Sequence, residues 1–392
     1  MTAPAGEVSL KWVLHLRSGT SCDAFRSDDG EFPLMGASGE IGRSLRANAP
    51  AKSVIIGRVG TVGAVHFART ACWASDNSII ATAGPDLAPE YMYYGLLGAR
   101  LPDLASRTAQ PLLTASAVGG RRLWVPPLDE QRRIAGYLDA ETAVIDRVIR
   151  KRERQLDLLR QKRFSTVRDV LRRGLRGAPT RATSLGWLPE IPADWRLVPL
   201  RYLTECLDGR RIPLSAEERS NRQGAYPYYG ASRVVDHVDD YLFDEPLVLL
   251  GEDGAQLANP TAEVAFHVEG RIWVNNHAHV LRSTGMQGRL LAEVLNVFDR
   301  NLCMSGATRE KITQEEMNAV LVPVPPDDQQ RELIDWIARE HADRGRLEAA
   351  LRKQVRLLVE RRQALVTAAV SGRFDVSAAG GRGVSTSMDG VQ

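Results

Sequence analysis

The segment "VPPLDEQRRI" at residues 125–134 returns 199 residues later as "VPPDDQQREL" at 324–333. That repetition constrains the chain more than its composition does. A period near 200 residues is too long for a solenoid unit and long enough for a whole domain with an appendage. The match also extends upstream. "SRTAQPLLT" (106–114) precedes "SGATREKIT" (305–313) at the same offset, and "CWASDN" (72–77) precedes "IWVNNH" (272–277) by 200 residues. "VIIG" (54–57) and "FPLMGAS" (32–38) each lie 194 residues ahead of "VLLG" (248–251) and "YPYYGAS" (226–232). Landmarks in one order with small changes of offset are the mark of a duplicated domain.

The appendage follows each Pro-Pro pair. Apolar residues fall at Ile134, Leu138, Ile145, Val148, Leu156, Leu159, Val167 and Val170, and in the second copy at Leu333, Ile337, Leu347, Leu351, Val355, Leu358, Leu365 and Ala369. Steps of three and four over such a length describe the seam of a coiled coil, with Arg, Lys, Glu and Gln on the other faces. Asp129 and Asp328 stand where they can serve the first-turn amides, and Gly174 and Gly372 stand where a helix would stop. Each helix is about 45 residues, or about 65 Å. Neither can bury its stripe alone. The two are therefore expected to pack on each other antiparallel, with the globular heads at the two ends of the rod.

The heads themselves read as short apolar strands broken by Gly, Asn and Asp turns, with helical spacing in "PEYMYYGLLGARL" (89–101) and "GRLLAEVLNVF" (288–298). The fold class expected is α+β: two tandem globular domains separated by two long helices packed as an antiparallel coiled coil. The divisions expected are a first head over 1–125, a first helix over 126–174, a linker and second head over 175–324, a second helix over 325–373 and a flexible tail over 374–392. Residues 174–195 are expected to be a Gly/Pro-containing connector. The first head begins near "VSLKWVLHL" (8–16), which matches "VPLRYLTEC" (198–206), and so lacks a counterpart of "GWLPEIPADW" (186–195).

Catalytic signatures are sparse. There is no G-x-x-x-x-G-K-[ST] phosphate loop, and "GRVGTVG" (57–63) has the spacing of a turn between strands rather than G-x-G-x-x-G. His277 and His279 offer two metal ligands at most, with no third at a suitable spacing, so no metal is expected. Cys22, Cys72, Cys206 and Cys303 have no short spacing and read as free thiols of a reducing cytosol. With no signal-peptide pattern and no apolar run of about 18 residues, the expected location is the cytoplasm. A chain organised by duplication and without a reaction centre reads as a binder.

Polar residues flank the repeated glycine landmarks: Ser38, Arg43, Arg58 and Asn77 in the first copy, Ser232, Arg233, Asn275, Asn276 and His277 in the second, with Arg309 and Lys311 before the second helix. Arg, Asn and Ser pair with base edges and phosphates, so these are the candidate DNA contacts. The net charge of +3 neither demands nor excludes nucleic acid. The basic run "RVIRKRERQLDLLRQKR" (147–163) resembles a nucleic-acid patch, but its place on a heptad helix favours a solvated or protein-contacting face over that reading.

Taken together, "VPPLDEQRRIAGYLDAETAVIDRVIRKRERQLDLLRQKR" (125–163) with its second copy at 324–362, "GWLPEIPADWRLVPL" (186–200), "YPYYGASRVVDHVDDYLFDEPLVLLGEDGA" (226–255) and "VSGRFDV" (370–376) resemble the specificity subunit of a type I restriction–modification enzyme. The resemblance spans nearly the whole chain. It implies two target-recognition domains, each reading half of a split, asymmetric DNA site, two conserved spacer helices packed antiparallel, and no catalysis by this subunit. It also implies partners: two modification subunits that bring S-adenosylmethionine and methylate adenine, and restriction subunits that use ATP and Mg. No cofactor is expected on this chain. An alternative of a different class is a coiled-coil assembly scaffold that reads no DNA, which leaves the two matched heads unexplained.

Overall fold

The computed structural model describes residues 6–106, 111–253, 257–259, 261–302, 304–305 and 311–373. The chain divides into two compact units, one formed by residues up to 152 together with those from 352 on, the other by residues 153–351. Two long helices, Leu128–Arg173 and Asp327–Val370, each contribute one half to each unit. Both end as the glycine spacing predicts: Gly174 takes φ +66° and Gly372 φ +71°, a conformation that only glycine adopts without strain.

In the first unit the central strand Ser53–Gly57 lies between Ser78–Ala83 and Val65–Ala68, and Leu14–Ser18 extends the sheet beyond Ser78–Ala83. All pairings in this sheet are antiparallel. A second sheet combines Gly39–Ser44, Phe32–Gly36 and Trp73–Ala74, the last two parallel. Strand Gly6–Ser9 pairs with Arg122–Val125, which runs into the first long helix. The core joins Val54, Ile56 and Ile79 of the sheet, Tyr91, Met92 and Leu96 of the helix Pro89–Gly98, Ile134, Ala135 and Leu138 near the start of the first long helix, and Val366, Ala369 and Val370 at the end of the second. Within this unit the start of one helix therefore shares a core with the end of the other, the arrangement of an antiparallel pair. Arg362 adds an ion pair to Asp146 at 3.0 Å across the same seam.

The second unit repeats the plan. Leu247–Gly251 lies between Ala278–Ser283 and Ala265–Val268, with Thr204–Cys206 outside, and a mixed sheet contains Gln223–Tyr229 parallel to Arg271–Val274. Its core gathers Phe164, Val167 and Leu171 at the end of the first long helix with Leu333 and Ile337 at the start of the second. Of the expected seam, Ile134, Leu138, Ile145, Leu156, Val167, Leu333, Ile337, Leu351 and Ala369 are buried, and Val148, Leu159, Val170, Val355, Leu358 and Leu365 are half-buried. Leu347 is a correction, since it is 49 % exposed. Near it the inward positions go instead to Arg344, whose side chain is 10 % exposed, and to half-buried Glu348. A leucine three residues from a polar inward position resembles the heptad pattern but falls outside it.

The duplicated "PP-x-D-x-Q" passage has a concrete role. Gln131, buried, accepts from the Ala88 amide at 2.8 Å and donates to the Pro126 and Asp86 carbonyls at 2.7 and 3.0 Å. Gln330, its counterpart, accepts from the Gln287 amide at 2.9 Å and donates to the Pro325 carbonyl at 3.0 Å. Ala88 and Gln287 are the residues that open the head helices Pro89–Gly98 and Gly288–Val297. Each glutamine thus ties a long helix to the head that precedes it.

The connector over 174–195 is more than a linker. Thr180–Leu185 and Leu188–Pro192 form an antiparallel hairpin, and Leu188, Ile191 and Trp195 are buried in the second unit's core. Trp195 donates its indole N–H to the Gln329 side chain at 2.7 Å. The apolar residues suffice to fold a segment whose Gly and Pro content reads as loose.

Candidate nucleic-acid interface

In each unit the candidate contacts gather where the central strand ends, and a glycine sets that geometry. A Cβ on Gly57 would stand 2.1 Å from the Thr61 carbonyl oxygen and 2.9 Å from that of Ala37, so the turn carrying Ser38 closes directly over the strand end. The Arg58 amide donates to the Asn77 carbonyl at 2.9 Å, and the Arg58 guanidinium reaches the Asp76 carbonyl at 3.5 Å. Ser38 and Asn77 are exposed, and Arg58 is half-buried. Arg43 stands apart. Its guanidinium donates to the Gly30 and Glu31 carbonyls at 3.0 and 2.6 Å and braces a loop.

The second unit is built alike. A Cβ on Gly251 would stand 2.4 Å from the Ala231 carbonyl oxygen, placing the Ser232 turn over the strand end, and the Glu252 amide donates to the His277 carbonyl at 2.9 Å. Asn275 is buried, and its side-chain oxygen accepts from the His277 amide at 2.8 Å, so it shapes the turn that presents exposed Asn276 and His277. The side chains here have partners within the chain: His277 meets Asp253 at 2.9 Å, Lys311 pairs with Glu252 at 2.6 Å, and Arg233 pairs with Glu263. Arg309 lies outside the described residues.

Behind this edge lies a buried ionic cluster for which the sequence offers no signal, because its members are scattered from Asp208 to Lys311. Asp208 faces His279 at 2.6 Å and Arg211 at 3.3 Å, and Glu252 binds Arg211 at 2.7 Å and Lys311. The imidazole of His279 also meets the Ile312 carbonyl, at 2.9 Å from Nε2. Burial acts to raise the carboxyls of Asp208 and Glu252, but hydrogen bonds and neighbouring cations outweigh it and hold both below the usual carboxylate range. Burial works against charge on His279. Its bonds to Asp208 and Ile312 win, and its pKa lies above that of an ordinary histidine. The ligand atoms of Asp208, Glu252 and His279 lie within 4.8 Å of one another, a spacing that would suit a metal. Arg211 and Lys311 already neutralise the carboxylates, however, and both ring nitrogens are engaged, so the donor set suits an ion network better.

The arrangement defines a class of protein: paired α+β heads on long helices, each offering a polar turn cluster and no assembled catalytic constellation among the described residues. The model of the type I restriction modification DNA specificity domain matches residues 6–157 and again residues 192–355, and the chain belongs to that family. Among curated relatives, a putative type I restriction enzyme specificity subunit of Haemophilus influenzae is 30 % identical over 36 % of this chain and 35 % of its own length. The EcoprrI specificity subunit of Escherichia coli is 26 % identical over 33 % of this chain and 34 % of its own length. The chain thus aligns with about a third of the length of each of these relatives, 35 % and 34 %. A solved structure of the type I restriction–modification system shares the fold, with a TM-score of 0.62 at 17 % identity, covering 95 % of this chain and 100 % of that one. No helix among the described residues is long and apolar enough to cross a membrane.

Proposed function

We propose that the chain is the DNA sequence-recognition subunit of a type I restriction–modification complex. It reads a target in two parts, one part with each head, and carries out no catalysis itself. The observation that supports this reading is the duplication of the polar turn cluster: both units place a Ser turn, the residue after the central strand and an Asn-containing turn at one glycine-gated edge. Arg58, Ser38, Asn77, Asn276, Ser232, Arg233, His277 and Lys311 are the side chains proposed to meet bases or phosphates, while Arg43 and Asn275 hold loops. Its partners are double-stranded DNA, two modification subunits that carry S-adenosylmethionine, and restriction subunits that use ATP and Mg, all in the cytoplasm. Partner subunits would supply much of the phosphate grip that a charge of +3 does not. The test is single-molecule sequencing of host DNA for methylated adenine, with and without this gene. Loss of one two-part motif on deletion is the expected result. An unchanged methylome, together with a purified complex that shows no sequence preference, would favour the scaffold alternative.

A further inference from the structure

The two heads differ at one buried position next to the proposed reading edge. In the first, the strand register sets Ile79 opposite Ile56; in the second, the same register sets His279 opposite Leu250. Each head also carries a short segment whose amide bonds to the residue that follows the central strand. The Leu113 amide donates to the Arg58 carbonyl at 3.0 Å, and the Ile312 amide to the Glu252 carbonyl at 2.9 Å. In the first head this segment sits on an apolar core, where Leu113, Ile56 and Ile79 are fully buried. In the second head the segment is held by His279 as well, through the Ile312 carbonyl.

A carbonyl oxygen can only accept a hydrogen bond, and Asp208 also acts as an acceptor here. Its Oδ1 accepts from the Val280 amide at 2.8 Å while its Oδ2 faces His279 Nδ1 at 2.6 Å. Both ring nitrogens of His279 therefore point at acceptors, which only a doubly protonated ring can satisfy. We propose that His279 is a positioning residue whose imidazolium pins the Lys311–Ile312 segment to the reading edge of the second head, so that recognition of the second half-site, unlike the first, fails when the ring loses its proton. The idea rests on the DNA-recognition reading above.

The groups facing His279 are accounted for. Asp208 and Glu252 favour its charge, while Arg211, which shares Asp208 Oδ2 with the ring and also binds Glu252, and Lys311, which binds Glu252, oppose it. The Cys206 thiol, beside Asp208, is pushed up to about 11 by burial and stays neutral. When the ring is neutral, its one remaining proton stays on Nδ1 against Asp208, and the Nε2 lone pair then opposes the Ile312 carbonyl. The contact broken is the one that His279 adds to the Ile312 amide bond and the Lys311–Glu252 ion pair in holding this segment. Because the folded pKa is raised, the tie is complete below the ordinary histidine range and is lost as pH rises through the higher folded value.

Two measurements on the full chain test this. The first is the protection factor of the Ile312 amide with histidine proton shifts followed alongside, at about pH 6 and about pH 9. Protection should fall about tenfold as His279 titrates, the order expected for one charged hydrogen bond lost. The second is selection from a random-sequence duplex pool by the complex with its modification partners at the same two pH values. The second half of the selected motif should lose its base preference at high pH, while the first half keeps it. His279→Gln, which retains one donor at every pH, should flatten both profiles, and His279→Ile should weaken the second half at both pH values. A ring already neutral at low pH, or equal retention of both halves, overturns the proposal. A pool with no motif in either half would sink the recognition reading instead, and the Ile312 exchange would still decide whether His279 holds that segment.

Discussion

Replacing Gln131 or Gln330 by leucine changes shape little and removes every hydrogen bond these side chains make. In the first unit, Gln131→Leu strands the Ala88 amide and the Pro126 carbonyl in a region where the native residue is 1 % exposed, while the Asp86 carbonyl, on an exposed residue, can turn to water. Each buried group left without a partner costs about 1–3 kcal/mol, and a carbonyl with a second lone pair falls at the low end, so the loss should be about 2 kcal/mol. Gln330→Leu strands the Gln287 amide and the Pro325 carbonyl and should cost about 2 kcal/mol. The two units need not unfold together, so the assay is guanidinium denaturation of the full chain read by exchange at the Ala88 and Gln287 amides. Each substitution should destabilise its own unit. Gln131→Glu keeps the acceptor for the Ala88 amide but turns a charge on two carbonyls, and should be no better than leucine. A change below about 0.5 kcal/mol in both leucine variants would refute the view that the repeated glutamine is the tie between helix and head.

Arg58→Ala should reduce recognition of the first half-site alone by about 1–3 kcal/mol, about fivefold to 150-fold, while Arg233→Ala, whose guanidinium already rests on Glu263, should cost less than about 1 kcal/mol; quantitative binding to single-half variants of the motif checks both, and equal losses would contradict the pairing argument. Cys72 is 1 % exposed with its thiol pushed up to about 11 by burial, so at mildly alkaline pH it should resist alkylation in the native chain and react once guanidinium is added. Mass spectrometry of the labelled chain decides, and native labelling of Cys72 as fast as that of half-buried Cys22 would count against the burial described.

The larger architecture is legible because it depends on repetition and period. The stripe through Ile134, Leu138 and Ile145 and its echo at Leu333 and Ile337 need only local spacing to announce long helices, and Gly174 and Gly372 mark their ends. What escapes the sequence depends on side chains that meet across long separations. Nothing in the string links Asp208 to His279 or Arg211 to Glu252, and the histidine pair 277/279 looks like one face until the structure sends His277 to Asp253 and His279 inward. Leu347 fails for a related reason: the seam near it accepts Arg344 and Glu348, which periodicity in apolar residues alone does not register. Arg43 has the right chemistry for a phosphate, but the Gly30 and Glu31 carbonyls of the loop ahead of the neighbouring strand claim it.

The division of the long helices has a consequence in time. Residues 153–351 make one unit from a single continuous stretch, whereas the other unit needs residues 352–370 to meet residues 128–152. On the ribosome, Ile134 and Leu138 emerge about 230 residues before Val366, Ala369 and Val370, which complete their core. At about 5–20 residues per second, that face stands uncovered for about 12–46 s. The head that is synthesised first is finished last, and its apolar stripe spends that interval in need of shelter.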